Sequence, residues 1–275
     1  MTVRQAYFYD VGDVRIEERA AEPLGDTGLR VEPIVLGMNP GTMTAAFTGT
    51  HPRMHEEYVP LRHPAAEVEP PLALSQNGVG RVVKVGDAVE GFAVGDAVQA
   101  GLEYAEQCVV DVVDDNPIVV DESVDLTEYV FMTQGGVALN AVRRADLTLG
   151  DRVAVVGQGP IGLALTRMAS LAGARPVVAS DLVEERLSLA ESFGATHVTD
   201  ATGEAFVEEA LPLFGEEPPT EGRGESQGGA DVVFDCAGVS DAVWAGTKLV
   251  RHNGTVCVAA MHKDPLEGVN LGSDF

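Results

Sequence analysis

The chain has 275 residues, and its 43 acidic residues against 18 lysines and arginines give a formal net charge of −25. This balance argues against a nucleic acid partner, because binding to a phosphate backbone depends on clustered basic side chains. Hydrophobic residues make up 45% of the chain. That share excludes global disorder, and the length leaves room for two domains with buried cores.

The kind of charge is also informative. Only Lys84, Lys248 and Lys263 are lysines, and the acidic residues are scattered along the chain with no terminal tail. This pattern is typical of proteins from salt-loving microbes, in which a dense carboxylate surface maintains hydration at high salt. We therefore expect a halophilic archaeal source; an acidic surface without such adaptation is the alternative.

Cysteine usage and the N-terminus indicate the compartment. Cys108, Cys236 and Cys257 are too few and too widely spaced for a disulfide framework or a metal-binding cluster. The first ten residues lack the apolar core of a signal peptide, and no stretch approaches the roughly 18 apolar residues that span a bilayer. We expect a cytoplasmic protein with no membrane partner.

The first 120 residues predict short strands separated by Gly, Pro and Asp turns. Alternating or turn-bounded patterns cover residues 80–86, 89–98 and 104–113, which favours a small antiparallel barrel. Residues 49–71 are rich in His and Pro with little periodicity, and they predict a loop with at most a helical turn.

From residue 126 to residue 144 the apolar spacing becomes helical, which predicts a helix bridging two domains. After Gly150, strand and helix patterns alternate, as in a parallel sheet covered by helices on both faces. Residues 215–229 contain almost nothing to bury and predict a solvated loop. The predicted strands are 152–156, 176–180, 197–199, 231–235 and 255–259, and the predicted helices are 161–172, 184–193 and 240–250.

The expected fold class is therefore α/β, with a barrel followed by a doubly wound parallel sheet. The expected domains are a barrel domain at 1–125, a linking helix at 126–150 and a dinucleotide-binding domain at 151–275. No internal repeat is found.

A glycine motif follows the first predicted strand of the second domain. It consists of Gly157, Gly159, Pro160, Ile161 and Gly162, and it opens a predicted helix. In such a Gly-x-Gly-x-x-Gly turn, the first glycine allows a tight turn, the second allows the backbone to approach a pyrophosphate, and the third allows close packing of the helix. The amides at the helix N-terminus then face the anion.

A carboxylate follows the next predicted strand. Asp181 stands 19 positions after Gly162, where it can accept hydrogen bonds from the adenosine ribose and repel a 2′-phosphate. The expected cofactor is NAD. NADP is the less favoured alternative, because Arg186 lies about one helical turn beyond and can help to hold an adenine or a phosphate. A structural turn followed by a surface aspartate is the other explanation.

With these motifs in place, the sequence resembles the medium-chain dehydrogenase/reductase family, which includes the zinc alcohol dehydrogenases and polyol dehydrogenases. The resemblance implies a chaperonin-10-like barrel, a Rossmann domain, and hydride transfer between a nicotinamide and an alcohol or carbonyl carbon. It also implies that Thr133 lies near the nicotinamide, and that Ala237, Gly238 and Ala260 line the cofactor. The matching stretches are 12–18, 79–86, 94–98, 104–106, 150–162, 186–195 and 229–238.

The residues that would hold the family's catalytic zinc are missing. Zinc-dependent relatives have Gly-x-Cys-Gly-Thr-Asp where this chain has Gly37-Met-Asn-Pro-Gly-Thr-Met43, and Gln76 and Asn77 replace a His-Glu pair. Amides do not supply the imidazole, thiolate or carboxylate ligands that zinc requires, and the four-cysteine structural lobe is absent. The sequence therefore predicts no zinc, and its Pro-Gly-Thr segment resembles a zinc-lacking branch of the family.

The sequence does not identify the residue that donates the proton to the substrate. His55, Tyr58 and His63 are candidates for a catalytic or relay role, because zinc-free reductases can protonate an alkoxide from a nearby hydroxyl or imidazole. His51 and His55 also have a metal-ligand spacing, but the proline between them opposes the helix that this spacing needs. Solvated loop side chains are the alternative.

The chain stops earlier than the family pattern, soon after the predicted strand 255–259. We expect a Rossmann sheet lacking its last strand or strands. The unpaired edge of such a sheet can pair with another copy of the chain, so a homo-oligomer is one expectation. The leading hypothesis is a zinc-independent, NAD-preferring oxidoreductase for a small alcohol, polyol or carbonyl substrate. The alternative is a truncated, catalytically inactive dinucleotide-binding relative that serves as a sensor or assembly partner.

Overall fold

The computed structural model describes residues 1–50, 72–73, 75–215, 228–262 and 265–268. The chain divides into two compact units, Met1–Thr133 and Gln134–Phe275. This division falls inside the stretch that the sequence assigns to a linking helix. Each unit has its own clusters of buried apolar side chains.

The first unit is built from antiparallel strands. Its strands are β1 (Thr2–Asp10), β2 (Asp13–Ala20), β3 (Gly28–Leu36), β4 (Leu72–Ala73), β5 (Ser75–Val85), β6 (Ala97–Glu103), β7 (Cys108–Asp111) and β8 (Ile118–Val119). Five of them form a sheet in the order β7-β3-β5-β6-β8, and three form a sheet in the order β2-β1-β4. Leu29, Val31, Val82, Val98 and Leu102 are buried between neighbouring strands and form the main core of this unit.

Two helices belong to this unit, α1 (Pro40–Phe47) and α2 (Leu126–Tyr129). Helix α1 was not predicted, although its start signals are present in the sequence. The Asn39 side chain accepts hydrogen bonds from the amides of Gly41 and Thr42, and Pro40 occupies the first helical position. The predicted strand at 104–113 was too long, because within that stretch only β7 (Cys108–Asp111) forms a strand, which pairs with β3.

The prediction of one continuous helix over 126–144 was wrong. α2 ends at Tyr129, and a second helix, α3 (Met132–Arg144), begins after Val130 and Phe131. Val130 is buried, and a Cβ added at Gly37 would lie 3.2 Å from the Val130 Cβ. The chain therefore turns where a valine packs closely against a glycine, a contact that apolar spacing along one segment does not reveal.

The second unit contains a parallel sheet. Its strands are β9 (Val153–Val156), β10 (Val177–Ser180), β11 (His197–Thr199), β12 (Ala230–Asp235) and β13 (Val250–Val258), and its remaining helices are α4 (Pro160–Leu171), α5 (Glu184–Phe193), α6 (Gly203–Ala210) and α7 (Ser240–Leu249). The strand order is β11-β10-β9-β12-β13, and every pair is parallel. The antiparallel sheets and this doubly wound sheet confirm the predicted α/β class.

The central strand β9 explains why this sheet is covered on both faces. All four of its residues are buried. Val153 and Val155 pack in a cluster with α3 and α4, whereas Ala154 and Val156 pack in a cluster with α6 and α7. Because side chains alternate across a strand, a continuous apolar run fills two cores at once. Helix α6 was missed by the sequence analysis, since it is only eight residues long and buries only Phe206 and Ala210. No helix within the described ranges is long and apolar enough to cross a bilayer.

An ion-pair cluster joins three segments at the amino ends of the parallel strands. The Asp231 carboxylate lies 3.0 Å from Arg152 Nε and also accepts a hydrogen bond from Arg251 Nε. Burial opposes the charge on Asp231, but the hydrogen bonds from both arginines outweigh it and lower the pKa of Asp231 to about 2 from 3.8. The folded chain therefore binds fewer protons here than the unfolded chain.

We expect Asp231→Asn to reduce the free energy of unfolding by about 1 to 2 kcal/mol at pH 7, since the folded state favours the charged carboxylate. The difference between wild type and variant should be complete above about pH 4 and should shrink as the pH falls toward 2. Urea unfolding at several pH values measures it. Asp13→Asn, which removes an exposed partner of Arg15, is the control and should change stability by less than about 0.5 kcal/mol. A difference that does not vary with pH would contradict the assignment.

Candidate dinucleotide-binding site

The glycine motif forms the turn between β9 and α4. Gly157 has φ +90°, a conformation that side chains rarely adopt. A Cβ there would lie 2.9 Å from the amide nitrogen of Ala237, so the turn also packs closely against the segment that follows β12. Gly157 therefore satisfies two independent constraints, one on the backbone and one on space.

Gly162 and Gly159 have different surroundings. A Cβ at Gly162 would lie 1.8 Å from the carbonyl oxygen of Gly157, so only glycine lets the helix start this close to the turn. A Cβ at Gly159 would meet nothing within 4 Å. Gly159 is the residue that caps α4, and having no side chain it leaves the first-turn amides uncovered on its side. Pro160 and Ile161 begin the helix.

Asp181 follows β10 and organises this turn. Its Oδ2 accepts a hydrogen bond of 2.7 Å from the Gln158 amide, and its Oδ1 accepts one of 2.9 Å from the Val183 amide. Arg186 Nη1 lies 3.5 Å from the same carboxylate. Asp181 is 8% exposed, so its carboxylate is held in place at the edge of the site. The Arg186 side chain is directed toward Asp181 and is about half exposed.

Gln158 is a buried polar residue of this turn that was not among the predicted site residues. It is fully buried between the two glycines. Its Nε2 donates to the carbonyl oxygen of Val155 at 3.0 Å, and its Oε1 accepts from the Thr166 hydroxyl at 2.8 Å. The sequence signal for this bond is a polar residue in the turn and a threonine eight residues later on the helix.

The segments after β12 and β13 lie beside the glycine turn. Asp235 is fully buried, and its Oδ1 accepts hydrogen bonds from the amides of Ala237 and Gly238 at 2.9 and 3.1 Å. A Cβ at Gly238 would lie 2.7 Å from the Met261 carbonyl oxygen. The Ala260 amide donates to the Asp235 carbonyl oxygen at 3.0 Å. Ala237, Gly238 and Ala260 thus come together at the carboxyl ends of two neighbouring strands.

Thr133 belongs to the first unit, where it is part of an amide cluster. The Asn77 side chain donates to the Thr133 hydroxyl, and Gln99 Nε2 lies 3.4 Å from Asn77 Oδ1. The Asn39 amide donates to Gln76 Oε1 at 3.3 Å. Gln76 and Asn77 are therefore engaged in hydrogen bonds as amides, each at a position where the zinc-dependent pattern has an anionic or imidazole ligand.

The donor set of this cluster does not fit a zinc ion. Amide side chains are weak ligands compared with thiolate, imidazole and carboxylate. Across the residues that the structure describes, no group of three or more His, Cys, Asp or Glu side chains is arranged to hold a metal. The candidates His51, His55, Tyr58 and His63 lie outside the described residues.

The three cysteines are free thiols in the described structure. Burial raises the pKa of Cys108 to about 11, and burial also raises the pKa values of Cys236 and Cys257. A thiol needs its thiolate form to act as a nucleophile or a metal ligand. Cys108 lies in the buried cluster of the first unit, and Cys236 and Cys257 pack against a buried cluster of the second.

In doubly wound sheets, ligands bind at the carboxyl ends of the strands where the strand order reverses. In the second unit this reversal lies between β9 and β12, next to the glycine turn, Asp181 and the segment after Asp235. The fold is that of Rossmann-type domains, and these groups lie where such domains bind a ligand.

Comparison with known proteins shows which proteins this chain is similar to. Residues 160–273 match the family model described as zinc-binding dehydrogenase. D-xylulose reductase of Saccharomyces cerevisiae is 27% identical over 236 residues, covering 73% of this chain and 62% of the reductase. These matches show that the chain is similar to zinc-binding dehydrogenases, with the family model covering part of the second unit and the reductase covering most of the chain. The chain spans between about half and three fifths of the length of the first curated relatives that it matches.

Solved structures share the fold. A Sinorhizobium meliloti protein bound to NADP has a TM-score of 0.76 at 22% identity, over 100% of this chain and 81% of its own. The 2R,3R-butanediol dehydrogenase of Bacillus subtilis has a TM-score of 0.75 at 23% identity, over 96% of this chain and 79% of its own. These similarities confirm the combination of an antiparallel domain and a Rossmann sheet.

Proposed function

We propose that the chain is a zinc-independent, NAD-preferring oxidoreductase that transfers a hydride between a nicotinamide and a small alcohol, polyol or carbonyl substrate. The observation that carries the proposal is the glycine turn at the reversal point of the parallel sheet, with Asp181 hydrogen-bonded to that turn from the end of the neighbouring strand β10. The names of relatives, a xylulose reductase and a butanediol dehydrogenase, support a substrate with hydroxyl groups.

The residues of the second unit have defined tasks in this proposal. The first-turn amides of α4 bind the pyrophosphate, because they carry the positive end of the helix dipole and Gly159 leaves room for a close approach. Asp181 accepts hydrogen bonds from the adenosine ribose hydroxyls with its remaining lone pairs. When bound, the nicotinamide supplies or accepts the hydride, and the protein contributes position and electrostatics.

The preference for NAD follows from charge. Asp181 is held within a turn by two backbone amides, so its carboxylate cannot swing away from an incoming group. A 2′-phosphate placed at the ribose would lie against that negative charge, and like charges at short range repel. Arg186 reduces this repulsion but is itself directed toward Asp181.

The zinc-independence rests on the amide cluster of Gln76 and Asn77 in the first unit. The same cluster favours a second candidate function, a dinucleotide-binding relative that does not catalyse hydride transfer. The two functions share the binding site and differ only in turnover. The acidic surface suits assays in molar salt under either function, since added salt screens the repulsion among carboxylates.

We expect the purified protein to reduce NAD⁺ with polyols or secondary alcohols, and to keep that activity after exhaustive chelation. The rate of NADH formation at 340 nm in molar KCl, with and without EDTA pretreatment, measures it. A parallel elemental analysis should find far less than one zinc per chain, because amides do not hold the ion. Activity that disappears on chelation and returns with zinc would contradict the zinc-free assignment. Tight NADH binding without turnover on any alcohol would favour the non-catalytic function.

A further inference from the structure

His262 forms a side-chain contact that the proposed function does not use. It follows β13, and its Nε2 lies 2.6 Å from Oδ2 of Asp235 at the end of β12. The Asp235 side chain is fully buried, and the His262 side chain is mostly buried. The histidine thus lies against the segment that packs on the glycine turn.

The direction of this hydrogen bond follows from the other contacts of Asp235. Its Oδ1 accepts hydrogen bonds from two backbone amides, those of Ala237 and Gly238. A carboxylate oxygen accepts hydrogen bonds, so His262 Nε2 is the donor in this contact. Without the imidazole, one oxygen of a buried carboxylate loses its side-chain donor, which is costly in a site of low polarity.

The contact adds a link between side chains to the backbone hydrogen bonds that join two segments. Asp235 fixes the turn at Ala237 and Gly238 on one side. On the other side, the amides of Ala259 and Ala260 donate to its carbonyl oxygen, and His262 closes the connection through the side chains. We call this pair, His262 with Asp235, the carboxyl-edge latch.

The place of the latch in the sheet determines which part of a ligand it affects. Asp181 follows β10, on one side of β9, whereas Asp235 and His262 follow β12 and β13 on the other side. A dinucleotide extends across the reversal point of such a sheet. With its adenosine at Asp181, the opposite end reaches the segments that the latch joins.

We propose that His262 is a positioning residue for the nicotinamide half of the cofactor, acting through Asp235 on the turn at Ala237 and Gly238. This inference rests on the proposed dinucleotide binding. It predicts that loss of the imidazole donor weakens binding of the nicotinamide half and leaves the adenosine half unaffected.

The test compares NADH with ADP-ribose, which has the adenosine, pyrophosphate and second ribose but no nicotinamide. We expect His262→Leu to weaken NADH binding at least tenfold in calorimetric titration and to change ADP-ribose binding less than twofold. His262→Gln keeps an N–H donor and should recover most of the lost NADH affinity. His197→Leu, at an exposed histidine on the edge strand β11, is the matched control and should change neither constant.

Thermal unfolding separates binding from folding: His262→Leu should melt below the wild type, because the buried carboxylate loses a donor, and His262→Gln should melt close to it. Binding is therefore compared at a temperature at which both variants are folded. Equal weakening of NADH and ADP-ribose by His262→Leu would overturn the latch as a positioning device, as would unchanged affinity for both. Failure of His262→Gln to recover NADH affinity would also overturn it. Wild-type protein that binds neither compound would overturn the proposed function and, with it, this inference.

Discussion

Gly159→Ala is expected to weaken NADH binding on the order of 100-fold, about 2.8 kcal/mol, while leaving the folded protein intact. The reason is that a Cβ at Gly159 meets no protein atom within 4 Å, yet it occupies the space through which the backbone approaches a pyrophosphate. Fluorescence titration with NADH measures the loss, and thermal unfolding without cofactor measures the folded state.

Two further glycines make this prediction specific. Gly162→Ala places a Cβ 1.8 Å from the Gly157 carbonyl oxygen, so it should lower the melting temperature strongly even without cofactor. Gly101→Ala, at an exposed position of β6 where a Cβ has only ordinary contacts, should change neither stability nor binding. If Gly159→Ala bound NADH as tightly as the wild type, the glycine turn would not be the pyrophosphate site.

Asp181→Asn should change the ratio of the dissociation constants for NADH and NADPH by about 10- to 100-fold in favour of NADPH, which is about 1.4 to 2.8 kcal/mol. The variant removes the negative charge that opposes a 2′-phosphate and leaves Arg186 nearby. Titration of both cofactors at one salt concentration measures the ratio, because the charge effect is screened by salt.

The same variant should also lower the free energy of unfolding by about 1 to 3 kcal/mol. Asp181 accepts from the amides of Gln158 and Val183, and an asparagine offers an NH₂ group where one of these amides needs an acceptor. Asp200→Asn, at the exposed aspartate after the neighbouring strand β11, is the control and should leave both quantities unchanged. An unaltered cofactor ratio in Asp181→Asn would refute the assigned role of Asp181.

The sequence was sufficient where a signal is local. Strand β9 is a short apolar run followed by glycines, and its two buried faces follow from the same run of four residues. Helix α5 and strand β11 have the predicted bounds, because turn residues and apolar spacing delimit each of them. The α/β class follows from the alternation of such elements.

The sequence was insufficient where contact with a distant segment determines the bounds of an element. The break between α2 and α3 depends on Val130 packing against Gly37, about 90 residues away in the chain. Helix α1 has a clear capping residue but lies in a segment whose composition resembles a loop. Short elements are easily missed, because few of their side chains are buried.

The amino-acid sequence by itself determined the glycine turn and the acid that follows the next strand, since both are local patterns with local causes. Only the tertiary structure decided how those residues are held. Asp181 bonds to Gln158 and His262 bonds to Asp235, across 23 and 27 residues of chain. The physical reason is that side-chain hydrogen bonds between segments arise from the closeness of neighbouring strand ends, which the order of residues along the chain does not specify.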